Sequence, residues 1–135
     1  MGFGCPALIR DLSTIKYSTN PYNVNAMTMA AGVGALEDRP YFEACRREIM
    51  QTRETTAVKL KRLGFTMPDS MANFLFARHP DIGGQQLYQT LKDRGILVRH
   101  FETPRLKDYN RITIGSPEQM ETLIAELARI LEETT

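Results

Sequence analysis

Residues 95–115 read GILVRHFETPRLKDYNRITIG, and the reading of this stretch decides the fold. Two apolar runs, 96–101 and 111–115, flank a polar loop, 102–110, that contains Pro104. Both runs are dense in β-branched residues, and such runs on either side of a turn-forming break predict paired strands. Each run carries an arginine, Arg99 or Arg111, which a buried strand does not ordinarily choose. What those two side chains are for is the main functional question.

The segments on either side supply what a small sheet needs to be covered. Upstream, 73–78 (NFLFAR) reads as a strand apolar on both faces, preceded by a turn at 65–70 that contains Pro68. After a loop with His79-Pro80-Asp81 and Gly83-Gly84, residues 85–94 form a short helix presenting Leu87, Leu91 and Tyr88, ended by Gly95. Downstream, Ser116 is an N-cap, Pro117 suits the first helical position, and Gln119 completes a capping box. Met120, Leu123, Ile124, Leu127 and Leu131 then line the buried face of a helix running to about Glu132. The order strand, helix, strand, strand, helix predicts an α+β fold. Its three-stranded antiparallel sheet has 111–115 in the centre and helices on one face.

Further upstream, Arg39-Pro40 opens a helix that runs to Leu63 and stops at Gly64. Phe42, Cys45, Ile49, Thr56, Leu60 and Leu63 recur on one face, leaving 51–55 as a solvated stretch. Arg46, Arg47, Glu48, Arg53 and Glu54 read as surface charges. Residues 24–37 hold mostly small side chains, and Gly32 and Gly34 cost a helix about 1 kcal/mol each relative to alanine. Such a helix is held by its surroundings, either between two domains or inside a core. Residues 1–25 offer only a short amphipathic segment, 7–15, with Leu8, Leu12 and Ile15 on one side. It is too short to be stable without packing. Asn20-Pro21-Tyr22-Asn23 breaks the chain as a turn.

Composition excludes several function classes. With 17 basic and 16 acidic residues the net charge is +1, so no overall field calls for nucleic acid or an anionic membrane. The apolar runs are far short of a membrane span, and the N-terminus lacks a basic region followed by an apolar core, which points to the cytoplasm. Cys5 and Cys45 form no CxxC pair and read as free thiols. His79 and His100 have no partner at metal-ligand spacing, and no nucleophile, P-loop or dinucleotide motif occurs. No catalytic, cofactor-binding or metal-binding residue is expected within the chain.

The arginines are the better candidates. A guanidinium is a planar fork that binds carboxylate or phosphate through two hydrogen bonds and keeps its charge. In an antiparallel pair the end of one strand lies beside the start of the next, so Arg99 and Arg111 can meet and form an anion site. The competing reading is a structural salt bridge, such as Arg111 with Glu102 or Asp108.

Four pieces, GFGCPALIRDLSTIKYSTNPYNVN, LKRLGFTMPDSMANFLFARHP, LYQTLKDRGILVRHF and NRITIGSPEQMETLIAEL, span nearly the whole chain. In that order they resemble the C-terminal part of histidinol-phosphate aminotransferases, a family of fold-type-I enzymes that use pyridoxal phosphate. The resemblance implies that residues 1–23 end a large cofactor-binding domain, 24–39 form an interdomain helix, and 40–135 form a C-terminal small domain. It implies that Arg111 grips the substrate's carboxylate or phosphate, with Arg99 helping at the same anion. The implied substrates are a phosphorylated amine and a 2-oxo acid, and the implied assembly is a homodimer. The family's Schiff-base lysine lies in a serine- and glycine-rich motif before the GFG segment, as does a phosphate-binding arginine. None of Lys16, Lys59, Lys61, Lys92 and Lys107 has that context, so the chain alone is expected to be inactive. Two alternatives stay open: a threonine-phosphate decarboxylase or related enzyme, and a stand-alone ligand-binding module.

Overall fold

In the stretch Asn110-Arg111-Ile112-Thr113 side chains alternate between buried and exposed, which is the period of a strand with one covered face. A computed structural model describes residues 4–19 and 24–134 of the chain. It divides the chain into two units, Met1–Phe42 and Glu43–Thr135. The second unit holds a three-stranded antiparallel sheet of strands β1 (Phe74–Ala77), β2 (Arg99–His100) and β3 (Asn110–Thr113), in the order β1-β3-β2. The expected central place of the second run is therefore observed.

The strands differ in extent from the expectation, for identifiable reasons. Strand β2 has two paired residues instead of six. The Ile96 N–H is taken up by the preceding helix end, donating to Leu91 O at 2.9 Å, and pairing with β3 is made at Arg99 and His100. Strand β3 begins one residue early because Asn110 points inward and is 1% exposed. Strand β1 is buried on one face only: Leu75 and Ala77 face the core, while Phe74 and Phe76 are half-buried on the other side. The segment 65–70 is more than a turn, since Thr66 bridges Arg78 through reciprocal backbone bonds of 2.8 and 3.0 Å.

All the helical packing lies on one side of this sheet. Helices α3 (Arg39–Arg62), α4 (Gly84–Asp93) and α5 (Pro117–Thr134) follow the expected pattern closely. Leu75, Ala77, Ile112 and Ile114 from the sheet region meet Leu60 of α3, Leu87 and Leu91 of α4, and Met120, Leu123, Leu127 and Ile130 of α5. Burying each large side chain contributes about 1.5–3 kcal/mol. The innermost turn of α5 uses Ile130, with Leu131 half-buried beside it.

Helix ends carry the expected chemistry. Gly64 and Gly95 take positive φ, +91° and +80°. In each case the next residue's N–H reaches back to a carbonyl four positions before the glycine, Phe65 to Leu60 and Ile96 to Leu91. At the start of α5, Gln119 Oε1 accepts the Ser116 N–H at 2.9 Å and Ser116 Oγ accepts the Gln119 N–H at 3.3 Å. Arg94, ending α4, donates to Glu126 and Glu133 of α5, and these hydrogen bonds raise its pKa further.

Helix α3 corrects three readings. The stretch 51–55 is not wholly solvated, because Thr52 is 7% exposed and forms a buried stripe with Thr56 and Leu60. Arg53 is half-buried, and its guanidinium donates to Ala72 O at 3.0 Å. Phe42, placed on the apolar face from its spacing, is exposed.

The first unit contains helices α1 (Pro6–Thr19) and α2 (Ala26–Glu37). Helix α1 is longer than its amphipathic stretch, and Leu8, Leu12 and Ile15 are exposed. Asn25 caps α2, accepting the Thr28 N–H at 2.9 Å. Helix α2 has no buried residue, and Met27 and Leu36 are 80% and 83% exposed. The core-helix reading of this segment is not realised in the chain. The predicted turn at 20–23 lies outside the described residues. Among the described residues no helix is long and apolar enough to cross a membrane, and no group of metal-ligating side chains forms.

Candidate functional site

The register brings the two predicted arginines together. Arg99 lies directly opposite Arg111, and Arg111 lies directly opposite Phe76, so the three side chains form one row across the open face of the sheet. Side chains opposite one another on one face stand about 4.5–5.5 Å apart at Cβ, and like charges so placed repel. A sheet has no structural reason to pair two arginines there.

No carboxylate among the described residues relieves that repulsion. Glu102 and Asp108, the partners of the salt-bridge reading, form no ion pair with either arginine. Aromatic rings take that place. The Arg111 Cζ lies 5.5 Å from the Phe74 ring centre and 6.0 Å from that of Phe101. The Arg99 Cζ lies 5.3 Å from the Phe101 ring. Phe76 stacks on Tyr109 at 4.7 Å and meets Phe101 edge-on at 6.4 Å. Arg78 covers the other side of this cluster, 5.5 Å from the Tyr109 ring, with its Nε donating to Thr66 Oγ1 at 3.2 Å.

Beneath the row, Asn110 ties the strands to α4. Its Nδ2 donates to Gly84 O at 2.9 Å, which fixes the amide orientation because a carbonyl can only accept. Its Oδ1 then faces His100 Nδ1 at 3.3 Å, so that ring nitrogen carries the hydrogen. The His100 ring in turn stacks on Tyr88 at 5.8 Å. His79, away from this site, closes the end of α3, its Nε2 donating to Leu63 O at 3.0 Å.

A hollow of about 390 Å³ opens beside Arg99 between Tyr88, His100 and Phe101, and a wider one of about 870 Å³ lies over Phe76, Tyr109 and Leu106. Neither is lined by a lysine. Lys59 is ion-paired with Glu121, and the Lys92 amine lies 5.8 Å from the Tyr88 ring. Two exposed guanidiniums beside these hollows have the chemistry to hold an anion.

Residues 7–127 match the model of the family described as aminotransferase class I and II. The chain belongs to that family. It is 41% identical over 134 residues to histidinol-phosphate aminotransferase of Brachyspira hyodysenteriae, an alignment covering 98% of this chain and 38% of that one. The solved histidinol-phosphate aminotransferase of Clostridium acetobutylicum superposes with a TM-score of 0.76 at 24% identity, covering 90% of this chain and 37% of that one. The Sinorhizobium meliloti enzyme, solved in complex with pyridoxal 5'-phosphate, gives 0.73 at 21% identity, covering 93% and 35%. These structures share the fold. The chain thus spans little more than a third of the length of such family members.

Sequence reasoning found both arginines and missed the side chains that hold them. Phe74 read as part of a strand buried on both faces, and Phe101 had no role in that reading, although it follows Arg99 by two and so must share its face. Asn110 read as loop, although two steps back from Ile112 it must point inward.

Proposed function

We propose that this chain is the C-terminal part of a pyridoxal-phosphate-dependent aminotransferase. The complete enzyme would move an amino group between histidinol phosphate and 2-oxoglutarate in histidine biosynthesis, in the cytoplasm and as a homodimer. The observation that carries the reading is the pair of adjacent guanidiniums on an open sheet face, without carboxylate partners. Both substrates end in an anion remote from the reacting carbon, and one such site serves each in turn. The family likeness to histidinol-phosphate aminotransferases supports the choice of substrate.

On this reading residues 1–23 close the large domain, 24–39 link the domains, and 40–135 form the small domain. The exposure of α2 supports that division, because a helix of mostly small apolar residues that leaves Met27, Met29, Val33 and Leu36 exposed is suited to being covered by another body. The cofactor, when bound, supplies an electron sink for the amine carbon. Its covalent seat is not among the residues described beside the arginines. The role of Arg111 and Arg99 is to bind and orient: fixing the remote anion limits where the amine can lie, and orientation is a large part of the rate.

Two experiments test this. Mixing the purified chain with pyridoxal phosphate, reducing with borohydride and mapping by mass spectrometry is expected to label no lysine specifically. A single stoichiometric label would overturn the domain division. Fusing the chain behind the upstream part of the Brachyspira hyodysenteriae relative is expected to restore transamination of histidinol phosphate, and Arg111→Gln to remove it. Release of carbon dioxide from threonine phosphate instead would overturn the substrate.

A further inference from the structure

We infer that Phe101 is the positioning residue of the arginine pair, the ring that holds two like charges side by side with their hydrogen-bonding edges free. The inference rests on the anion-site reading above and deepens it. Arg99 and Arg111 occupy directly opposed positions on adjacent strands, where two long cationic side chains would otherwise splay apart into water. Phe101 follows Arg99 by two residues and sits diagonally from Arg111, and its ring lies within 5.3 Å of one guanidinium carbon and 6.0 Å of the other. Both distances are in the range where a cation is attracted to the negative face of an aromatic ring.

The ring is itself fixed. It meets Phe76 edge-on, and Phe76 is stacked nearly parallel on Tyr109, with 9° between the planes. Phe74 also meets Arg111, at 5.5 Å, but among the described residues it has no such contact with a second arginine. Phe101 is thus the ring common to both. Support by a ring differs chemically from support by a carboxylate. A carboxylate would occupy the N–H fork and cancel the charge, whereas a ring leaves both forks and both charges available. A site made this way suits a ligand with two negative charges, a phosphate monoester above all.

The test uses the whole chain and inorganic phosphate, with the Nε–Hε signals of Arg99 and Arg111 followed by NMR. Phosphate is expected to shift both signals, Arg111→Gln to abolish binding, and Phe101→Leu to weaken it about tenfold. Pentafluorophenylalanine introduced at position 101 keeps the shape and reverses the ring's charge distribution, so it is expected to weaken binding similarly with an unchanged melting temperature. Phe101→Tyr is expected to retain binding. If the wild-type chain binds phosphate and Arg111→Gln does not, but fluorination has no effect, the role of Phe101 is overturned while the anion site stands. If the wild-type chain does not bind phosphate, both are overturned.

Discussion

The two faces of one small sheet obey opposite rules. On the inner face Leu75, Ala77, Ile112 and Ile114 are sealed under three helices, and no charged side chain is buried there. On the outer face, residues one step along the same strands place arginines between half-buried rings, with like charges opposed. The inner face spends its side chains on stability. The outer face accepts repulsion, a local cost that the proposed anion site would explain and the fold does not require.

That contrast predicts where substitutions will hurt. The largest loss is expected inside: Leu127, fully buried on α5, is central to the cluster, and Leu127→Ala should lower stability by about 2–5 kcal/mol in denaturant unfolding. Asn110 ties the inner side of the sheet to α4, so Asn110→Ala, which removes the bonds to Gly84 O and His100 Nδ1 and leaves a buried gap, should lower stability by about 1–3 kcal/mol. Outside, Arg111→Gln should leave the unfolding free energy within about 0.5 kcal/mol while abolishing phosphate binding. A large loss of stability in that variant would erase the distinction between the faces.

The smallest effect concerns pH. The Glu118 carboxylate at the start of α5 accepts from its own backbone N–H and from the Ser116 hydroxyl, which holds its pKa below the ordinary value. Because the folded-state value is the lower one, its contribution is complete at neutral pH and fades as pH falls through that lowered value. Glu118→Gln should therefore slightly reduce the difference in melting temperature between pH 7 and roughly pH 3.

Much of this was readable from residue order, and the failures share a cause. Ser116-Pro117-Glu118-Gln119, Gly64 and Gly95 act through local backbone geometry, so their effect appears in the residues themselves. Arg99 and Arg111 stood out because arginine is rare in strands. By contrast Arg53 read as surface because its partner, Ala72 O, is nineteen positions away. Phe101 passed without a role because an aromatic residue looks the same whether it meets leucine or guanidinium. Ile96 read as the start of β2 although its N–H is claimed by the end of α4, a competition between two local motifs that neither shows alone.

The unequal pairing of the strands gives the two arginines different mechanical compliance. Arg111 belongs to a strand laddered on both sides, to Phe76 and to Arg99, whereas Arg99 rides on a two-residue edge. Amide hydrogens around Arg99 should exchange faster than those around Arg111, since an edge with so few bonds opens locally at low free-energy cost. On the proposed anion-site reading the pair would act as a vice with one fixed jaw and one sprung jaw, able to take a bulky tetrahedral anion or a flat carboxylate without moving the core behind it.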